Sequence, residues 1–300
     1  MAENGIVPAI VGAVMPAQVA SEDELVRRWI GRFQSANTRR AYQIDWRAFR
    51  AFTDVPLRAL TVGGVQDFGA SLVGLRPATA VRRMAALRSL LTMGHRWGYL
   101  MVNVGAAYQM PAVKDTLAER IMSEEQVARL LWQMDAPLRR GPYVLRDAAL
   151  VRLLYSAGLR ISEACGLHWR DLTERDEAGQ ITVLGKGGKT RVILLPAPMW
   201  ARLSRLRGNA GRDDPVFRSR NGAGLHRSQV DVVVKTAMRR AKLPAAASAH
   251  WLRHAHASHA LDRGCPVHVV QTTLGHASLT TTTRYSHARP GDSSARYLVA

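Results

Sequence analysis

The segment AHWLRHAHASHAL, residues 249–261, sets four histidines and one arginine within roughly three helical turns. Two chemistries use such a set: metal ligation, and the handling of an anionic oxygen. His250 and His254 stand four apart, so on a helix both rings project from one face. That is the spacing of the H-E-x-x-H zinc helix, where a glutamate general base follows the first histidine. Here that place is taken by Trp251, which neither activates water nor accepts a proton. A zinc site also needs a third ligand, and the nearest carboxylate, Asp262, falls at the far end of the same helix. The expectation is therefore no metal and no cofactor. An arginine between histidines instead supplies a forked, permanent charge beside groups that titrate near neutrality, which suits phosphate.

Three other segments carry compatible chemistry: AGLRISE (157–163), LGKGGKT (184–190) and LGHASLTTTTRYSH (274–287). Arg160 offers a second guanidinium, with Glu163 three residues on to pair with it. Lys186 and Lys189 sit in a glycine-rich turn, His276 is a hydrogen-bonding group, and Tyr285 is an oxygen nucleophile. Alone, each has an ordinary structural reading: a solvated turn, a capping histidine, a half-buried tyrosine. Within the long segment, His254 and His259 read as packing groups and His256 as an exposed one. No Walker motif, carboxylate cluster or Cys/His zinc pattern is present.

The charge balance points the same way. Lys and Arg total 42 against 23 Asp and Glu, a net charge of +19 with a pI near 11.2, which calls for a polyanionic partner. Only five of the basic residues are lysines (Lys114, Lys186, Lys189, Lys235, Lys242), and arginine is the better bidentate phosphate ligand. Cys165 and Cys265 sit in apolar, helix-like contexts and offer no disulfide framework, which fits a reducing cytoplasm. The opening IVPAIVGAVMPAQVA holds two prolines and is too short to span a bilayer. Its flank MAEN lacks the positive charge of a secretory leader. Residues 1–20 read as a flexible arm.

The elements that must position these groups are mostly helices. SEDELVRRWIGRF is amphipathic with Ser21 as N-cap, and SANTRRAYQIDWRAFRAF places Tyr42, Trp46 and Phe49 on one stripe behind the capping residues Ser35 and Asn37. VGGVQDFGASLVG is a weaker helix, and RPATAVRRMAALRSLLTMGHRWG runs from Pro77 to Gly98. These form a basic helical domain over 21–107. Residues 108–120 read as a linker, and SEEQVARLL opens the next domain with a capping box of Ser123 and Gln126. VLRDAALVRLLYSAGLRISEACGL reads as two helices broken at Gly158. QITVLGKGGKTRVILLP is the one hairpin. Helices near 197–207 and 227–241, the histidine helix, PVHVVQTTL and a short helix around Tyr285 complete a second domain, 121–290, before a tail at 291–300.

The four segments, in this order on a basic chain, resemble the tyrosine recombinase (phage integrase) family, nearest its bacterial Xer-like branch. The likeness runs from about residue 21 to 290, and SANTRRAYQIDWRAF is similar to the family's helical core-binding domain. The resemblance implies a mainly α fold with a small antiparallel sheet in the C-terminal domain. It implies a two-domain DNA clamp, a SAM-like core-binding domain plus an integrase-type catalytic domain. It also implies site-specific cleavage and rejoining of DNA through a 3′-phosphotyrosyl intermediate. Tyr285 would be the nucleophile, Arg160 and Arg253 the clamp on the phosphate, His250 and His276 its hydrogen-bonding or proton-transfer partners, and Lys186 the general acid. The implied partners are a double-stranded recombination site, three further protomers (of this chain or of a second recombinase) and an accessory protein, in the cytoplasm at the nucleoid. Two alternatives share these residues or this fold: a type IB topoisomerase-like strand transferase and a non-catalytic DNA-binding protein.

Overall fold

The computed structural model describes residues 18–110, 116–135, 141, 143–185, 188, 190–276, 278, 282–283 and 285. Most of the N-terminal arm, both turn lysines Lys186 and Lys189, and the C-terminal tail lie outside the described residues. The chain divides into two compact units between Lys114 and Asp115.

The first unit is helical. In α1 (Glu22–Gly31), Ser21 accepts from the Glu24 amide while Glu22, Asp23 and Glu24 meet the positive end of the helix dipole. Ser35 caps α2 (Ala36–Phe52) and Thr61 caps α3 (Val62–Ser71) in the same way. Pro77 opens α4 (Pro77–Arg96), where its missing N–H costs no hydrogen bond. Leu25, Trp29, Phe49, Phe68, Leu90 and Leu91 form the centre of the core. Of the expected α2 stripe, Phe49 is fully buried, whereas Tyr42 and Trp46 are partly so. The same helix buries a charge that the periodicity does not reveal. Asp45 is 3% exposed and pairs with Arg82 and Arg83 of α4. Burial pushes its carboxyl up, against the pull of both arginines.

The second unit is built around one helix. Its first helix, α5 (Glu124–Asp135), starts at the expected capping box: Ser123 Oγ accepts from the Gln126 amide, and the Gln126 side chain accepts from the Ser123 amide. α6 (Val144–Ser156) buries Ala148, Ala149, Leu150, Val151, Leu153 and Leu154, a wide apolar face that must be enclosed, while Arg146, Asp147 and Arg152 stay partly exposed. It packs against α5, α8 (Ala197–Arg207) and α10 (Ala249–Asp262). The described helices also include α7 (Ile161–Cys165), α9 (Arg227–Arg240) and α11 (Val267–Leu274). Leu117 and Ile121 are buried in this unit against α10 and α11 residues Ala257, Val270 and Leu274.

The sheet has one strand more than the sequence suggests. β1 (Leu172–Arg175), β2 (Ala178–Leu184) and β3 (Thr190–Leu195) pair antiparallel in that order. The β1–β2 turn is made by Asp176 and Glu177, both at positive φ (51° and 57°). Such turns favour Asn or Gly, so the pair Asp-Glu gives no hairpin signal. Cys265 also departs from expectation: it follows α10 in the short connection to α11 and is not helical. No helix among the described residues is long and apolar enough to cross a membrane.

Candidate active site

Two glycine corners prepare the site. α6 ends at Ser156, and Gly158 follows in the left-handed region, φ 58°. A Cβ there would lie 2.6 Å from Leu274 and 2.9 Å from the His256 ring, so only glycine fits. The turn frees the Gly158 carbonyl and sets Arg160 at the N-cap of α7. α11 ends at Leu274 and is capped by Gly275 in the left-handed region, φ 63° and ψ 48°. The glycine lies against the Arg191 side chain and turns the chain into His276.

The arginine of α10 is not the surface charge that its helical context allows. Arg253 is 1% exposed and donates to the carbonyls of Gly158 at 2.6 Å and Leu274 at 2.5 Å. Burial, then repulsion from Arg160, lowers its pKa from 12.5 to about 10, which leaves it protonated at neutral pH. Arg160 reaches the same Leu274 carbonyl at 3.5 Å and pairs with Glu163 at 2.9 Å. The two guanidiniums are thus held side by side by one backbone oxygen.

Glu163 organises a third arginine, Arg191, which the sequence reading missed. Arg191 shares the inward face of β3 with Ile193 and Leu195, two and four residues on, as strand alternation requires. It donates to both Glu163 oxygens, at 3.0 and 2.8 Å, and to the Thr273 carbonyl at 2.7 Å. Burial raises the Glu163 carboxyl, but the bonds from Arg191 and from the Arg160 amide outweigh it, so the pKa falls below 4.5. Three guanidiniums therefore face one carboxylate. The surplus is positive, and it suits an anion.

Around it stand the histidines and the tyrosine. His250 is exposed on the wall of a cleft of about 470 Å³, also lined by Arg160, Arg227 and Ser248. Partial burial of its ring and repulsion from Arg253, Arg160 and Arg120 lower its pKa. His276 Nδ1 lies 2.9 Å from the hydroxyl of Thr282, a fully buried residue. Burial, then Arg253, Arg160 and Arg191, bring the His276 pKa to about 4. Its ring stacks parallel to that of Tyr285, 6.3 Å between centroids. Tyr285 is 5% exposed, packed on Val270 and Leu274, with its hydroxyl 2.8 Å from His254 Nδ1. The structure thus brings together Arg160, Arg253, His250, His276 and Tyr285, while Lys186 lies outside the described residues. Among the described residues, no cluster of three or more His, Cys, Asp or Glu could hold a metal.

Two of the four α10 histidines are scaffold. His259 Nε2–H donates to the Met122 carbonyl, which leaves Nδ1 to accept from the Tyr155 hydroxyl at 3.0 Å. His256, expected to be exposed, is instead half-buried, and its Nδ1–H donates to the Tyr155 carbonyl at 2.8 Å. It is drawn in because Gly158 leaves the space its ring occupies. Burial lowers its pKa to about 4.

These shifts set a pH dependence. His256 and His276 stay neutral in the folded chain down to about pH 4, while the unfolded chain protonates both near 6.5. The unfolded state binds more protons between these values, so stability is full above about pH 6.5 and falls as pH drops toward 4. The urea midpoint should decline over that window. In His256→Asn, whose amide still donates to Tyr155 without titrating, the decline should be shallower. An identical slope in both proteins would refute the His256 contribution.

The chain as a whole is similar to known proteins. The sequence profile of the phage integrase family matches residues 120–291. The tyrosine recombinase XerC of Xylella fastidiosa (strain M23) is 36% identical over 219 residues, 71% of this chain and 71% of that protein. XerC of Rhodospirillum centenum is 34% identical over 305 residues, 94% of this chain and 87% of that one. Among solved structures, the XerH site-specific recombinase bound to its difH substrate superposes with a TM-score of 0.70 at 21% identity, covering 92% of this chain and 88% of that one. A lambda integrase dimer bound to a COC′ core site gives 0.71 at 18% identity, covering 92% and 80%. The profile match and the XerC identities establish that this chain belongs to the phage integrase family of tyrosine recombinases.

Proposed function

We propose that this protein is a site-specific DNA recombinase that cleaves and rejoins strands by transesterification through a 3′-phosphotyrosyl intermediate. The observation that carries the reading is the surplus of guanidinium charge around Glu163 beside a tyrosine hydroxyl. A phosphodiester attacked by a phenol gains charge on its non-bridging oxygens, and preorganised donors stabilise that charge most where water is excluded. Arg160 and Arg253 supply those donors, with His250 and His276 as neutral hydrogen-bonding partners. Tyr285 is the nucleophile, and the ester it forms conserves the energy of the broken bond, so neither nucleotide nor metal is consumed. Lys186 is proposed as the general acid on the 5′-oxygen from the family resemblance of its turn.

By the same likeness, the substrate is a duplex recombination site, and four protomers, of one or two kinds, assemble on two sites in the cytoplasm at the nucleoid. In this reading residues 21–107 grip the duplex and residues 121–290 perform the chemistry. The test uses duplexes that the protein enriches from a random-sequence pool, nicked next to the cleavage position so that the released fragment diffuses away. A covalent adduct should accumulate and map to Tyr285 by peptide mass spectrometry, and paired intact sites should exchange strands between molecules. Adduct without intermolecular exchange would overturn the recombinase reading in favour of a topoisomerase-like enzyme, and no adduct at all would overturn both.

A further inference from the structure

Attack by Tyr285 on a phosphodiester needs a group that activates the phenol. A phenol has a pKa of about 10, so at neutral pH its proton must be removed as the Oη–phosphorus bond forms. Three histidines surround Tyr285, and their geometry separates them. His276 Nδ1 is engaged by Thr282, and its ring lies parallel to the tyrosine ring, 7° between planes. His250 faces the cleft. His254 places a ring nitrogen, Nδ1, on the Tyr285 hydroxyl at 2.8 Å.

Resting on the reading of Tyr285 as nucleophile, we propose that His254 is the general base of strand cleavage, accepting the Tyr285 proton on Nδ1. This residue looks like scaffold in the sequence, and its burial looks like packing. Its surroundings suit more than packing. The His254 ring stands edge-to-face on His250, 4.5 Å between centroids, so the phenol oxygen, His254 and the cleft wall form one continuous row. Arg253, the preceding residue, interacts favourably with an ionised Tyr285, so oxyanion character on Oη is stabilised as the proton leaves.

The step balances without any further reactant. The Oη–H bond breaks and its proton passes to His254 Nδ1. The Oη–P bond forms as the P–O5′ bond breaks, and the departing 5′-oxygen takes a proton from the separate general acid proposed above. In rejoining, the 5′-hydroxyl attacks, the phenolate leaves, and His254 returns the proton to Oη.

His254→Asn provides the test. The Asn side-chain oxygen occupies nearly the place of Nδ1 and keeps a hydrogen bond to the phenol, but it has no useful basicity. A packing or orienting role survives this change, and a base does not. Duplex affinity and the melting temperature should stay close to those of the parent, while the single-turnover rate of adduct formation falls by about 10²–10⁴-fold. Replacing Tyr285 by 3,5-difluorotyrosine through codon suppression lowers the phenol pKa and removes the need for a base. That replacement should restore much of the lost rate in the His254→Asn protein and gain little in the parent. Parental cleavage by His254→Asn, or a slow variant that the fluorinated phenol does not rescue, would overturn the assignment. An adduct that maps to another residue in the parent would instead overturn the Tyr285 reading beneath it, so the two failures are distinct.

Discussion

Tyr285→Phe should abolish the covalent adduct completely while leaving duplex affinity within a few fold of the parent. The change removes one oxygen. The ring keeps its contacts with Val270, Leu274, Leu117 and Ile121, so the packing that fixes this part of the chain against α10 and α11 persists. What is lost is the nucleophile and the hydrogen bond to His254, the latter costing about 1 kcal/mol of stability. None of the groups proposed to hold the phosphate is touched. A denaturing gel run after incubation with a nicked duplex separates the outcomes: protein still linked to DNA would show that Tyr285 is not the attacking group. An unchanged gel-shift affinity would show that the loss is chemical and not a failure to fold or bind.

The parts of this site that the sequence reveals are those whose signal is local. Ser21, Ser35 and the Ser123–Gln126 box all cap the helices their spacing suggests, because a cap is decided within three residues. Arg160, Arg253, His250, His276 and Tyr285 stand out because their types are unusual together and each sits in a short ordered pattern. The parts that stay hidden are made by backbone or by distance. Arg253 is held by the carbonyls of Gly158 and Leu274, and a carbonyl has no residue identity to read. Arg191 meets Glu163 across the fold. Its one trace in the sequence is an arginine on the inward register of an otherwise apolar strand face. Asp45 is hidden for the same reason, since its partners lie on another helix. His254 is visible as a residue, but nothing in the sequence points to the role proposed for it, because burial among helices is the commoner fate of a histidine at that spacing.

Arg160 and Arg253, assigned the same work on phosphate, should separate sharply when their stability effects are measured. Arg253 is enclosed, and its guanidinium satisfies two buried carbonyls. Arg253→Ala removes the bond to the Gly158 carbonyl, leaves the Leu274 carbonyl with the long 3.5 Å bond from Arg160, and opens a cavity where the side chain stood. An orphaned acceptor costs about 1–3 kcal/mol, the cavity and the weakened Leu274 contact add to it, and relief of the buried charge offsets part of this. The expected net loss is about 2–4 kcal/mol in the unfolding free energy of the full chain. The Arg160 side chain is 39% exposed, and after Arg160→Ala the Glu163 carboxylate still has both Arg191 bonds and the residue-160 amide. Stability should therefore change by no more than about 1 kcal/mol. Cleavage should fall in both variants by about 10²–10³-fold or more, the usual loss on deleting a preorganised donor to a developing oxyanion. Arg253→Lys sharpens the point. An ammonium keeps the charge but lacks the planar fork that spans both carbonyls, so it should recover part of the stability and little of the rate. Equal destabilisation by the two alanine variants would show that Arg253 is not held as its contacts imply. Parental cleavage by Arg253→Lys would show that charge alone, without the fork, suffices at the phosphate.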